Sequence, residues 1–148
     1  SVAPHVKHLV GRPAPTTPLE GKFSIAFCVA LALCGHRVLS QDFSARRLAD
    51  PKIGDLIRKI ELQVVEDINR YGAMMDIVLE DGETLNAVVA VSRGNPENPL
   101  SWDDLKDKFN GLVGPVIGAR APHLYDALRM IEEPGSLIRI FEMLQRVR

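Results

Sequence analysis

The chain has 148 residues, 46% hydrophobic and 25% charged, with a formal net charge of -1. That length suits one domain, or one small domain plus part of another, and so even a charge balance offers no field to attract nucleic acid or an anionic membrane. The longest apolar run, Ile25 to Cys34, is too short to span a bilayer and no signal-peptide pattern opens the chain, so the cytoplasm is the expected location.

Residues 1–19 read as extended or looped, because Pro4, Pro13, Pro15 and Pro18 interrupt any long helix and bias the residues before them to extended geometry. Val6 to Val10 is expected as a short edge strand. Ser1 in place of Met is the expected mark of a cleavage or cloning boundary. Ser24 to Leu33 predicts a helix apolar on nearly every face, which implies burial on most sides, with Gly35 as its stop. Cys28 and Cys34 fall in this stretch. Six positions of helical rise separate them by about 9 Å, beyond disulfide reach, so two small buried thiols are expected.

A second helix is expected over Gln41–Leu48. A third starts at Asp50-Pro51, with Asp as cap and Pro at the first helical position, and carries Ile53, Leu56, Ile57 and Ile60 on its apolar face. The period then changes to two. Ile60, Leu62 and Val64 alternate with polar residues, as do Met75, Ile77 and Leu79. Asp81-Gly82 leads into Leu85, Ala87, Val89 and Val91, a strong hairpin signal. A sheet of three strands is thin, and a further strand ahead of Ser1 would complete it. Residues 94–100 form a loop. Ser101 and Asp104 then open a helix with a capping-box pattern, and Leu105, Phe109 and Leu112 share one of its faces. Two more helices follow, near Ala121–Glu132 and Gly135–Arg148. The expected class is α+β with an all-helical tail.

Several chemistries have no motif here: Gly-rich phosphate loops, paired Cys-x-x-Cys, His-Glu-x-x-His and the Gly-x-Ser-x-Gly elbow. His5 and His8 have no third ligand nearby and are not expected to share a helix face, so no structural metal is expected. Asp103, Asp104 and Asp107 suit the N-terminal end of a helix dipole, and Arg46-Arg47 suits a solvated helix face. Lys7, His8, Arg12 and Lys22 surround the Pro-rich stretch that leads into the apolar helix. From composition they read as a solvated loop or as a site for a carboxylate-bearing ligand near a helix start.

Certain segments, in this order, carry a resemblance: Gly11-Arg12-Pro13; Leu19-Glu20-Gly21-Lys22-Phe23-Ser24-Ile25-Ala26-Phe27; the apolar helix to Gly35; Asp42-Phe43; Asp50-Pro51-Lys52-Ile53; the Asp81-Gly82 hairpin; and Gly94-Asn95-Pro96-Glu97-Asn98-Pro99-Leu100-Ser101, closing on Asp104-Leu105 and Lys108-Phe109. Together they resemble the C-terminal region of the 2-methylcitrate dehydratase (MmgE/PrpD) family. The resemblance implies a homodimeric enzyme without metal or organic cofactor. It implies a chorismate-mutase-like α+β lid over residues 1–105, and C-terminal helices over 106–148 that return to a large helical domain. Family members dehydrate, epimerise or decarboxylate small di- or tricarboxylic acids, which requires a base for an acidic proton and cations for the carboxylates.

On this resemblance the principal acid/base residues lie upstream of Ser1, so no catalytic residue is expected within the chain. His8 falls close to where the decarboxylating members place a site tyrosine, and Lys22 lies at the start of the lid helix. The substrate-binding set is therefore His8, Arg12 and Lys22. The alternative is a free-standing, non-catalytic α+β module for acid binding or assembly. Finally, Leu124, Leu128 and Ile131 form one apolar stripe and Leu137, Ile140, Phe141 and Leu144 another, which predicts that the tail pairs with a second copy.

Overall fold

A computed structural model describes residues 1–145. The protein is α+β: a small antiparallel hairpin preceded and followed by helices, with a helical C-terminal part. The chain divides into two compact units between Pro99 and Leu100. The division lies just ahead of the helix that carries residues 105 and 106.

In the first unit, α1 spans Pro4–Val10 and α2 spans Pro18–Gly21. Both lie where the prolines predict extended chain, and Val6 to Val10 is helix rather than an edge strand. The physical reason is position: Pro4 and Pro18 sit in the first turn, where a missing N–H costs nothing and the fixed φ favours the helix. Helix α3, Ile25–Leu33, is capped by Ser24, whose hydroxyl accepts the Phe27 N–H. It ends as expected at Gly35, which adopts φ 81°; the Gly35 and His36 N–H groups return to the carbonyls of Ala32 and Leu31.

The helix expected over Gln41–Leu48 is broken in two, a tight turn at Ser40–Asp42 and α4 at Ala45–Leu48. The buried Asp42 carboxylate accepts the Leu39 N–H at 2.9 Å, and Ser44 caps α4. Each half thus satisfies its own first turn, and the chain opens between them at Phe43. Helix α5, Pro51–Lys59, is capped by Asp50 as the sequence predicts.

Phe27, Ala30 and Leu31 of α3 and Ile53 of α5 form the buried core of this unit, with Val38, Phe43, Leu56, Ile57 and Ile60 packed on it. Val38 is a β-branched residue at φ 56°, an uncommon and costly backbone state. Its packing on the core offsets that strain.

Strands β1 (Ala73–Val78) and β2 (Thr84–Val89) pair antiparallel, with Ala73 opposite Val89 and Val78 opposite Thr84. Gly82, at φ 88°, turns the connection. Residues 60–64 alternate in polarity yet form no strand; Val64 makes only an isolated bridge to Val2. Every residue of β2 is exposed.

In the second unit, α6 (Trp102–Ile117) packs on α7 (Ala121–Arg129), and α7 on α8 (Ser136–Gln145). Ser101 and Asp104 form the predicted capping box. The Tyr125 hydroxyl donates to the Trp102 carbonyl at 2.6 Å, and the Phe109 and Tyr125 rings lie 5.5 Å apart. Leu124 and Ile140 are buried, whereas Ile131, Leu137, Phe141 and Leu144 are exposed. The last three residues of the helix expected over 135–148 lie outside the described residues.

Candidate functional site

The expected binding residues lie around a closed loop between α1 and α3. Gly11 and Ser24 form an antiparallel bridge, and the Ser24 hydroxyl donates to the Arg12 carbonyl at 2.6 Å. This closure brings the end of α1, which carries His8, to the cap of α3, Ser24, two residues beyond Lys22. The backbones of His8, Arg12 and Lys22 thus belong to one region of the first unit. All three side chains are exposed.

Their states differ. Arg12 Nη1 donates to Glu20 Oε1 at 3.2 Å. Glu20 Oε2 in turn accepts the Thr16 N–H and the Thr16 hydroxyl, each at 2.8 Å. The two Thr16 bonds hold the Glu20 carboxyl below its ordinary range against an opposing effect of burial, and the Arg12 charge adds a smaller lowering effect. Lys22 Nζ lies 5.9 Å from the centre of the Phe43 ring, at the outer limit of a cation–π contact. His8 makes no hydrogen bond or ion pair among the described residues. Because α1 is helical, His5 and His8 stand one turn apart, contrary to the expectation from Pro4. Among the described residues no group of three or more His, Cys, Asp or Glu side chains is placed to hold a metal ion.

Glu20, Thr16 and Phe43 are the site residues that the pattern of cations alone misses. One signal does point to Glu20. Thr17-Pro18-Leu19-Glu20 has Pro at the first helical position and Glu at the third, the mark of a helix start. Thr17 caps α2 by accepting the Glu20 N–H, which fixes Glu20 over the Pro-rich loop and within reach of Arg12.

Two clefts lie elsewhere. One of about 310 Å³ in the second unit is lined by His123, Asp126, Met130, Glu133, Ser136 and Arg139 among others. The other, of about 330 Å³ in the first unit, is walled largely by Val65, Ile68, Met74, Val88 and Val89. Neither includes His8, Arg12 or Lys22, whose cluster lies on open surface. Chemically, that cluster offers positive charge and N–H donors for an anion. It pairs no base with an orienting group. Cys28 is half-buried against the Gly21 carbonyl, and burial pushes its thiol pKa up, away from the reactive thiolate. No described helix is long and apolar enough to cross a membrane.

The family model for the MmgE/PrpD C-terminal domain matches residues 1–128. Cis-aconitate decarboxylase of Mus musculus is 26% identical over 104 residues, covering 68% of this chain and 21% of that protein. The Homo sapiens cis-aconitate decarboxylase is 26% identical over 110 residues, covering 72% of this chain and 23% of that protein. The chain spans about a fifth of the length of the curated relatives it matches.

Proposed function

The chain belongs to the MmgE/PrpD family through its C-terminal domain, and from that premise we propose that it is the C-terminal, lid-type part of a longer enzyme acting on a small di- or tricarboxylic acid. The reaction class is proton transfer at a carbon beside a carboxylate: removal of the proton with loss of hydroxide in dehydration, removal and return of the proton in isomerisation, or delivery of a proton as CO2 leaves in decarboxylation. The matched relatives are named for decarboxylation of a tricarboxylic acid. In this reading residues 1–105 serve as the lid, residues 106–148 pack with a helical domain supplied upstream, and the parent enzyme is a cytoplasmic homodimer. The acid/base residues belong to the upstream part.

The observation that supports a role for this chain is the Gly11–Ser24 closure, which joins the backbone segments that carry His8, Arg12 and Lys22. Cations fixed on rigid elements hold carboxylates while a base elsewhere does the chemistry. Arg12 is already engaged by an internal carboxylate, Glu20, in an exposed pair. Such pairs contribute only about 0–1 kcal/mol, so a substrate carboxylate can displace Glu20 cheaply. His8 and Lys22 require no such exchange.

The test uses the parent polypeptide. It should convert one of 2-methylcitrate, cis-aconitate or citrate, followed by mass spectrometry, and Lys22→Ala or Arg12→Ala should raise KM more than it lowers kcat. The isolated chain should show no turnover with any of the three. Turnover by the isolated chain, lost in His8→Ala or Lys22→Ala, would overturn the division of labour. A reading frame that starts at or just before Ser1 would favour a non-catalytic acid-binding module instead.

A further inference from the structure

Residues 1 and 2 form a stub of β-strand whose onward track is laid out by its hydrogen bonds. The Ser1 amino group donates to the Met74 carbonyl at 2.6 Å, and the Met74 N–H donates back to the Ser1 carbonyl at 3.0 Å. Reciprocal exchange of this kind defines a hydrogen-bonded antiparallel pair. The Val2–Ala73 antiparallel bridge has the same register. On its other side, Val2 N–H donates to the Gln63 carbonyl at 2.9 Å, and Val65 N–H donates to the Val2 carbonyl at 3.0 Å. The stub therefore has a neighbour on each side, as an inner strand does.

The edge it occupies continues past it. Within the hairpin, odd-numbered β1 residues turn their backbone groups to β2, because Leu79 N–H bonds the Glu83 carbonyl at 2.8 Å in the register of Val78 opposite Thr84. Even-numbered Met74 faces Ser1. By the same alternation the backbone groups of Asp76 and Val78 face the Ser1 side, beyond the reach of Ser1 itself. Both residues are exposed, Val78 by 72%. An open edge of this kind is a template for wrong pairing, and native proteins cover it. A two-stranded hairpin is also marginal unless further strands or helices join it.

We propose that the residues directly preceding Ser1 in the parent polypeptide extend this stub along β1, the second residue ahead of Ser1 pairing with Asp76 and the fourth with Val78. This rests on the reading that a longer polypeptide exists. The register also dictates chemistry. Val2 shares a face with Ala73, Met75 and Ile77 and with the β2 residues opposite them, Val89, Ala87 and Leu85. The first and third residues ahead of Ser1 fall on that apolar face and are expected to be apolar. The second and fourth share the face on which Asp76 accepts a hydrogen bond from Asn86, which tolerates polar side chains.

Residue-resolved amide hydrogen exchange on the parent polypeptide tests this. Corrected for intrinsic rates, the Asp76 and Val78 amides should exchange at least tenfold, and by expectation about a hundredfold, more slowly than the Glu80 and Asp81 amides at the hairpin tip. Less than tenfold overturns the proposal. Cysteines at the second residue ahead of Ser1 and at Asp76 then identify the occupant: a disulfide under mild oxidation supports the stated register, and protection without it overturns that register. A gene product that begins at Ser1 removes the longer-enzyme reading and this inference with it. A longer product whose Asp76 and Val78 amides stay open removes this inference alone.

Discussion

The Ser24 hydroxyl joins two elements that the sequence separates by a Pro-rich loop: it donates to the Arg12 carbonyl at 2.6 Å while accepting the Phe27 N–H at 3.2 Å. One buried side chain thus caps α3 and pins the loop that carries the candidate cations. Ser24→Ala removes the cap and leaves a carbonyl without its partner. The expected loss is about 1–3 kcal/mol, read as a lower urea midpoint at unchanged m-value. It should also weaken citrate-induced amide shifts at Arg12 and Lys22. A variant as stable as the parent chain, with those shifts intact, would remove Ser24 from this role.

The Glu20 carboxylate gives the same loop a pH dependence. Its folded-state pKa lies below the ordinary value of 4.5, chiefly through the Thr16 N–H and hydroxyl. A lowered folded pKa contributes stability that is present above the unfolded value and lost as pH falls through the folded one. The Thr16 bonds and the Arg12 pair are therefore expected to persist at neutral pH and to loosen only below about pH 4.5. The Thr16 amide shift, followed by NMR, should titrate with a midpoint below that value, and Glu20→Gln should abolish the transition. A midpoint at or above 4.5 would show that the carboxylate is not held as described.

Much of the fold was legible in the sequence wherever a local signal had one outcome. Asp81-Gly82 between alternating residues meant a hairpin, Asp50-Pro51 and Ser101 meant helix starts, and Gly35 meant a helix stop. The misreadings share a cause, a residue type with two outcomes decided by its neighbours. Pro4 and Pro18 read as breakers but begin helices. Alternation over 60–64 promised a strand, yet its pairing partner is the two-residue stub at the start of the chain. The cations of the candidate site were visible as residue types. The ion pair that occupies Arg12 was not, because it depends on how α2 turns Glu20 back toward a residue eight positions earlier.

The stop at Gly35 gives a direct measure of that local code. At φ 81° an L side chain is strained, and a Cβ placed there would meet no other atom within 4 Å. Gly35→Ala should therefore cost only the backbone term, about 1–2 kcal/mol. Gly35→Asn should recover part of it, since Asn tolerates the left-handed region. Equal losses for both variants would point to a packing defect rather than to backbone conformation.

The final prediction concerns the apolar face of α8. Leu137, Ile138 and Phe141 are 55%, 67% and 61% exposed. Burying a large apolar side chain is worth about 1.5–3 kcal/mol, so covering three of them would contribute on the scale of a domain's total stability, about 5–15 kcal/mol. An exposed stripe of this kind favours association. The chain on its own is expected to pair with a second copy through α8, and sedimentation equilibrium should report a dimer at tens of micromolar. Leu137→Glu with Phe141→Glu should return a monomer whose helical content is unchanged by circular dichroism, because both side chains point to solvent within the second unit. On the proposed reading, the same pair of substitutions in the longer polypeptide should cost stability instead, since a helical domain would cover the stripe there. A wild-type chain that remains monomeric at 100-fold dilution and at tens of micromolar alike would sink the idea.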